Sequence, residues 1–546
     1  MPRYGIKKSN AACIEITDFQ STYLPGDIVL GHVVTAKAFA PGPNADQTWV
    51  KLQLFGRAKT KIVDKSGQFT VIYRGRAVMF QEEQCVFRGA VSEGARIPFV
   101  VTIPESSTPG FEQRGDSWDK DRDDKTEHMP DDRVFRPKQT FLSNTQEDVA
   151  RHALPSVYYF RDTSAWSGTT FEAFVEYVLE ATLICPGAKN VTTTFPLFIR
   201  AKPTEKPLEG NEYQFYVKDD SRAIYSDRLL PENSERRMTF KEKSRRFFSP
   251  SKTPRYTFTV KVVYPQAIQL EHPSPLPFKI YIKPMWEANK TTICPDGDVR
   301  RLPPVHFVSM ELKLISTTRL RCEGSIPGYP HSEDRETTYD VPFKYPFESF
   351  TFKVPIVTRG NLKPNGSTQG GAVDVLSEEH TMVPATGSPY IEPGALRPVH
   401  DSTTVPDGLV EYTRFYADEE GEYFLGAPFD LGARLDIRLS QRGSSTQGNF
   451  EFPFEKPLWP SFATYNIVQG YQLAWKINLS CAGESHTVSG RKDIMIFSPS
   501  EEEEIRKKRE LGQEGMQKNY DDLAQGLGVV SGAFELGLDV LQAISN

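Results

Sequence analysis

Residues 458–481 read LWPSFATYNIVQGYQLAWKINLSC, and this stretch carries the clearest structural signal in the chain. From Tyr471 to Cys481 an apolar residue occupies every second position. A period of two predicts a β-strand that buries one of its faces. Such a strand is longer than the about 5–6 residues that are typical, and its apolar face needs a second sheet to cover it. The stretch therefore predicts a β-sandwich.

The N-terminal half contains a second strand of this kind at residues 175–183, VEYVLEATL. Weaker strand patterns also recur in the same order in the two halves. Residues 276–282 echo residues 97–103, and residues 308–314 echo residues 50–54. Because each unit must bury its own apolar faces, we expect an all-β protein made of two tandem immunoglobulin-like β-sandwiches.

Changes in composition divide the chain further. Residues 112–133 are charged and almost free of aliphatic side chains, and residues 359–408 are rich in Gly, Pro, Ser and Thr. Both segments are therefore predicted to be disordered or mobile. The predicted organisation is a first sandwich over 1–202 with a charged insertion at 112–153, a linker over 203–254, a second sandwich over 255–498 with a mobile loop at 359–408, and a helical tail over 499–546.

The tail carries the pattern of an amphipathic helix. Its apolar residues are spaced by fours and threes, at Leu523, Leu527, Val530, Phe534, Leu541 and Ile544. Glycines at four positions of the same stretch cost about 4 kcal/mol relative to alanine. We therefore expect the helix to be ordered only against a surface, either its own sandwich or a partner. Acidic residues fill its polar positions and count against docking to an anionic membrane, at Asp521, Asp522, Glu535 and Asp539.

The overall composition excludes several classes of protein. A net charge of -6 argues against a general nucleic-acid binder. The sequence begins without the apolar region of a signal peptide, and no apolar run approaches the roughly 20 residues of a membrane span. Six cysteines are scattered without a CxxC pair, so reduced thiols are expected. These features together predict a cytoplasmic protein.

Sequence motifs of catalysis are missing. The chain has no GxxxxGK[ST] loop, no HExxH pair and no GxSxG elbow, and its nine histidines do not cluster. The acidic residues of 112–133 lack the spacing of an EF-hand, so a solvated loop is favoured over a metal site. We predict no catalytic residue, no cofactor and no metal, and no enzymatic activity. A triad assembled only in space remains the open alternative.

A basic cluster lies in the predicted linker, followed by Phe247 and Phe248. Positive charge next to aromatic side chains suits contact with acidic lipid head groups or with a phosphorylated partner. The alternative interpretation is a solvated linker. The candidate contact residues are Arg236, Arg237, Lys241, Lys243, Arg245 and Arg246.

Several of these stretches resemble one family. Residues 23–31, YLPGDIVLG, resemble the PGD-x-V-x-G start of the arrestin N-terminal domain. Residues 97–104 resemble its PF-x-F-x-LP strand, and residues 175–183 its V-x-Y-x-L-x-A-x-L strand. Residues 460–473 are similar to the closing motif of arrestin C-terminal domains. The resemblance is to arrestin-like proteins, in particular the α-arrestins found in fungi.

This resemblance implies two β-sandwiches joined by a hinge, without catalysis. Members of the α-arrestin group act as cytosolic adaptors that bring a HECT-type ubiquitin ligase to membrane transporters and promote endocytosis. The resemblance therefore implies binding to cytosolic tails of transporters or receptors, peripheral membrane association, and recruitment from the cytoplasm to the plasma membrane or endosomes. The alternative is a sorting or coat subunit of the retromer type, which shares the arrestin sandwich.

The chain differs from the family in its ligase-binding motif. WW domains of such ligases grip PPxY motifs, whose prolines form a ready-made polyproline helix. The chain contains no PPxY. The nearest approach places Ile326, Pro327 and Tyr329 in a loop, and these residues are the candidate ligase contacts. An ordinary Pro-Gly turn is the competing interpretation.

Overall fold

The computed structural model describes residues 11–107, 153–341, 350–353, 423–439 and 458–509. Gaps interrupt these stretches at 18–21, 37–38, 40–44, 66–69, 211, 235, 237–238, 241–252, 286–289, 294–301, 323–330, 425–427 and 507–508. The predicted charged insertion (apart from its last residue), the predicted mobile loop and the amphipathic pattern of the tail lie outside the described residues. Within them the chain is built of strands, so the prediction of an all-β fold is confirmed.

The first unit packs a three-stranded sheet on a five-stranded one. The smaller sheet has the order β1-β2-β5, and the larger has the order β4-β3-β7-β6 with β8 also paired to β7. Inward side chains of the two sheets form one apolar core, with Val29 and Phe99 from the smaller sheet and Leu54 from the larger. The strands are β1 Ala12–Ile16, β2 Ile28–Thr35, β3 Trp49–Asp64, β4 Val71–Arg88, β5 Arg96–Thr102, β6 Tyr158–Thr163, β7 Thr170–Ile184 and β8 Val191–Leu197.

The second unit repeats this plan. A four-stranded sheet of order β17-β12-β10-β9 faces an eight-stranded sheet of order β11-β20-β19-β13-β15-β16, to which β14 and β18 also pair. The strands are β9 Phe215–Tyr225, β10 Arg255–Pro265, β11 Ala267–Gln269, β12 Lys279–Pro284, β13 Val305–Cys322, β14 His331–Asp340, β15 Phe350–Lys353, β16 Tyr423–Phe424, β17 Phe429–Asp430, β18 Phe462–Ala463, β19 Ile467–Cys481 and β20 Glu484–Phe497.

Residues 467–481 form β19, and their predicted alternation is confirmed. Its buried row from Tyr471 to Cys481 packs on the four-stranded sheet, whereas Ile467 at its start packs in the core of the first unit. Trp475 meets the rings of Tyr264 and Phe278 edge-on, with centroids 5.7 and 6.0 Å apart. Gly490 on β20 makes room for the indole, because a Cβ at this position would lie 2.6 Å from the Trp475 ring. Close packing here therefore requires glycine.

The predicted linker over 203–254 needs a correction. Eleven of its residues form β9, which pairs antiparallel with β10 from Phe215 opposite Pro265 to Tyr225 opposite Arg255. This strand is an edge of the four-stranded sheet, and most of its side chains are exposed or half-buried. An edge strand open to water needs no apolar alternation, so its composition resembles that of a loop.

Candidate partner-binding surface

The two sandwiches share a packed junction. The end of β13 and the start of β19 reach the first unit, and Leu320, Cys322 and Ile467 belong to the same apolar core as the first unit's strands. Trp459 joins them and meets the Tyr158 ring edge-on at 6.1 Å. Apolar area shared in this way resists separation of the units, because parting them would expose it to water.

A buried polar network crosses the same junction. The Tyr158 hydroxyl of β6 donates to Gln469 Oε1 at 2.8 Å and lies 3.1 Å from Thr318 Oγ1. Gln469 Nε2 in turn donates to Ser316 Oγ at 2.7 Å. Burial raises the pKa of Tyr158 well above its ordinary value, so the phenol stays protonated and acts as a donor. Each polar group has a partner, which removes the penalty for burying it.

A second set of contacts ties β3 to the second unit. Thr60 Oγ1 donates to the carbonyl of Arg321 at 2.5 Å, and Asn466 Nδ2 donates to the carbonyl of Ala58 at 3.2 Å. Beside them, burial raises the pKa of the Cys322 thiol to about 12, so this cysteine is an unreactive part of the core. The junction is therefore held by packing and by hydrogen bonds from both sides.

Strand β14 lies over the edge of this junction. Arg335 reaches Asp162 on β6 with a shortest nitrogen–oxygen distance of 2.6 Å, and its guanidinium lies 4.4 Å from the centre of the Phe171 ring. The His331 ring stacks on Tyr73 of β4 with centroids 4.4 Å apart. Inward side chains of β14 thus contact the first unit, although the strand belongs to a sheet of the second.

Strand β14 pairs with one neighbouring strand among the described residues. All ten residues pair antiparallel with β13, from Asp340 opposite Lys313 to His331 opposite Cys322. In the part of the chain that the structure describes, no strand pairs with the opposite edge of β14. An edge of this length presents a row of backbone donors and acceptors that can accept another extended chain.

The outward side chains of this strand are mostly acidic. Asp334 lies 3.3 Å from Arg319, Asp340 lies 3.7 Å from Lys313 and Glu336 lies 3.1 Å from Arg491. All of these side chains are well exposed, so the pairs are weak and can exchange partners. The surface named here the β14 edge, residues His331–Asp340, therefore combines open backbone with replaceable charges.

The larger sheet of the first unit has a contrasting charged cluster that is buried. Glu176 on β7 contacts both Arg57 and Lys59 of β3, with Lys59 Nζ at 2.8 Å from the carboxylate. Arg74 and Arg76 of the adjacent β4 are also buried. Charges removed from water in this way must be paired, so the cluster is a structural element and not an open binding site.

Most sequence-predicted contact residues lie outside the described residues. This holds for Ile326, Pro327 and Tyr329. Of the basic cluster the structure describes Arg236 alone, which is exposed and whose carbonyl accepts a hydrogen bond from Arg228 Nε at 2.7 Å. The other five residues of that cluster are also outside, namely Arg237, Lys241, Lys243, Arg245 and Arg246.

Neither a metal site nor a membrane-spanning helix occurs within the described ranges. No group of three or more His, Cys, Asp or Glu side chains there is arranged so that it could hold a metal ion. No helix of the described chain is long and apolar enough to cross a bilayer. Comparison with known protein families and with curated proteins found no match to the chain.

Proposed function

We propose that the chain is an arrestin-like cytosolic adaptor that binds membrane-protein cargo and links it to ubiquitin-dependent endocytosis and trafficking. One observation carries this proposal: two β-sandwiches are locked together, and an open edge strand, β14, lies over their junction. A rigid scaffold with an exposed edge suits recognition of an extended peptide by strand addition. The sequence resemblance to arrestin-like proteins points to the same class.

The charge of the β14 edge favours one class of peptide. The strand carries Glu333, Asp334, Glu336 and Asp340 against the single guanidinium of Arg335. Cytosolic segments next to membrane spans are enriched in Lys and Arg. A basic tail that adds as a strand would gain backbone hydrogen bonds from the edge and charge pairing from the exposed carboxylates. We expect this binding to weaken as salt is added, because exposed charges are screened.

Proximity labelling in cells tests the cargo proposal. The full-length protein should label transporters or receptors together with endocytic components and return to the cytoplasm when cargo is removed. In the double variant Asp334→Lys, Glu336→Lys the labelling of cargo proteins should fall about tenfold, because the introduced lysines repel basic tails. The double variant Glu82→Lys, Glu83→Lys is the matched control, since both are exposed acids on β4 of the first sandwich, remote from Tyr73, where that strand contacts β14.

Two outcomes would contradict the adaptor proposal. Labelling that recovers no transporter, receptor or endocytic component would remove its basis. Co-purification with the same subunits in a fixed ratio, independent of cargo, would favour the retromer-type coat subunit.

The ligase arm of the proposal has its own test. A WW-domain fragment of a HECT-type ligase should bind the full chain, and Tyr329→Ala should abolish binding if the loop at 326–329 replaces a PPxY motif. Equal binding by the wild type and the variant would show that the ligase fragment binds another part of the chain. No binding by either would show that the chain does not bind the ligase directly.

A further inference from the structure

The turn between β6 and β7 carries a tryptophan at its tip. Residues 163–171, named here the Trp166 hairpin, read TSAWSGTTF and contain no charged side chain. The indole of Trp166 is 101% exposed, more than any other large apolar side chain of the described residues. An aromatic side chain can bury about 150–250 Å², and this one buries almost none of its surface within the protein. It is therefore suited to a contact outside the chain.

Hydrogen bonds fix the conformation of this hairpin. Ser164 N donates to the carbonyl of Thr169 and Gly168 N donates to the carbonyl of Ser164, both at 2.9 Å. The Ser167 hydroxyl donates to Thr169 Oγ1 at 2.8 Å, and Thr169 Oγ1 donates to Asp64 on β3 at 3.2 Å. Gly168 has a φ of +68°, a conformation that favours glycine. Because these polar groups are already paired within the protein, moving the tip into a less polar medium costs little.

A second apolar side chain lies at the same end of the five-stranded sheet. Strand β3 runs between β4 and β7, with Asp64 opposite Val71 and Val63 opposite Thr170. Val71 is 37% exposed. Neighbouring strands are about 4.8 Å apart, so Val71 lies on the order of 10–15 Å from the β6–β7 turn. This end of the first unit thus exposes apolar side chains on neighbouring strands.

The surroundings of the indole favour a lipid surface over a protein partner. A tryptophan that anchors a protein–protein contact is normally surrounded by side chains that exclude water. In the described chain Trp166 has no such ring, since its indole is fully exposed at the tip of a turn. Tryptophan is enriched at membrane–water interfaces, where its ring is buried and its N–H stays hydrated. An uncharged turn can enter this region without desolvating a charge.

The Trp166 hairpin also lies beside the β14 edge. Asp162 and Phe171 form the second-last residue pair of β6 and β7 before the turn, and Arg335 of β14 contacts both of them. Insertion of Trp166 into a bilayer would therefore bring the β14 edge close to the membrane surface. Because that edge is mostly acidic, anionic lipids would not attract it, and the attraction must come from the apolar tip.

We propose that the Trp166 hairpin inserts into the interface of a zwitterionic lipid bilayer and holds the first unit on the membrane. This lipid contact goes beyond the proposed adaptor function, since it requires neither cargo nor ligase. Because it depends on burial of apolar surface, it should persist at high salt, where the binding of a basic tail to the β14 edge weakens.

Flotation of the full chain with protein-free phosphatidylcholine vesicles tests this contact. The wild type should float with the vesicles, and Trp166→Ala should lower the partition coefficient about tenfold, because one large side chain no longer leaves water. Trp49→Ala is the matched control, since Trp49 is 38% exposed at the other end of β3, and it should leave partitioning unchanged. Vesicles should shift the tryptophan emission of the wild type to the blue, and this shift should be absent in Trp166→Phe.

Several results would overturn this proposal. Among them are no flotation of the wild type and equal flotation of Trp166→Ala. A lowered thermal midpoint of Trp166→Ala would contradict the exposure of the indole. Flotation that requires phosphatidylserine would assign the membrane contact to basic residues instead. Weaker binding of Trp166→Ala to a basic peptide without vesicles would assign the indole to a protein contact.

A further variant separates this proposal from the adaptor function. The double variant Asp334→Lys, Glu336→Lys should float on phosphatidylcholine vesicles as the wild type does, because it changes the β14 edge and leaves the Trp166 hairpin intact. Flotation that falls in this variant as far as in Trp166→Ala would contradict the assignment of the lipid contact to the hairpin. Loss of cargo labelling with flotation unchanged would affect the adaptor proposal alone.

Discussion

Strands β7 and β19 share one sequence pattern but differ on their outer faces. Both bury every second side chain in the core of their own sandwich, β19 from Tyr471 onward. On β7 the middle of the other row is covered as well, where Glu176 is only 1% exposed and Val178 only 7%. On β19 that row meets water, and Lys476 pairs with Glu311 while both side chains are about half exposed. A period of two therefore identifies the core face of a strand but leaves the environment of the other face undetermined.

The difference has an electrostatic consequence. At Glu176 a carboxylate and two cations are held away from water, where charge interactions are strong and loss of one partner is costly. At Lys476 water solvates both partners and screens their attraction. The same kind of ion pair is thus a structural necessity on one strand and dispensable on the other.

The largest expected effect comes from breaking the buried pair. Glu176→Gln keeps the shape of the side chain but removes the negative charge that Arg57 and Lys59 contact. We expect a loss of about 3–5 kcal/mol in the free energy of unfolding. Chemical denaturation followed by tryptophan fluorescence measures it.

The matched control for this prediction is Glu311→Gln on the open face of the second sandwich. Its loss should stay below about 1 kcal/mol, because an exposed pair contributes little. Equal losses in the two variants would contradict the contrast between β7 and β19.

A smaller effect is expected at the junction between the sandwiches. Tyr158→Phe removes the hydroxyl that donates to Gln469 in a buried network. We expect a loss of about 0.5–1.5 kcal/mol, since one buried hydrogen bond is removed while Thr318 Oγ1 still donates to Gln469 Oε1 at 2.7 Å. Tyr216→Phe serves as the comparison, because the Tyr216 hydroxyl donates to the exposed carbonyl of Asp493 at 2.9 Å, where water can replace it. A Tyr216 loss as large as the Tyr158 loss would show that burial does not set these energies.

The smallest effect is expected where β14 contacts the first unit. Arg335→Lys keeps the charge but loses the planar group that pairs with Asp162 and lies over Phe171. The free energy of unfolding should fall by about 0.2–1 kcal/mol. Amide exchange of β14 should rise more visibly than that of β13. Unchanged exchange in β14 would show that the strand is held by its pairing with β13 alone.

The sequence was sufficient for the strands that bury one face. Alternation located β7 and β19, because the apolar core imposes a period of two on any strand that covers it. It failed for β9 and β14, whose sequences FYVKDDSRAIY and HSEDRETTYD are largely polar. Both are edge strands, and their order comes from backbone pairing with β10 and β13 rather than from apolar burial.

The candidate surface could not have been predicted from local patterns. Arg335 and Asp162 are 173 positions apart, and Tyr158 and Gln469 are 311 positions apart. Contacts of this range follow from how two sandwiches pack, which periodicity within one strand does not encode. The charged residues of β14 were visible in the sequence, but only their place at the junction makes them a candidate surface.

The interlocked junction bears on how the chain can be divided. Leu320 and Ile467 belong by sequence to the second sandwich but lie in the core of the first. Cutting between the units would therefore expose apolar surface on each fragment, and neither fragment would be a self-sufficient domain. Two separately produced fragments should instead associate when mixed, because association buries this apolar surface again.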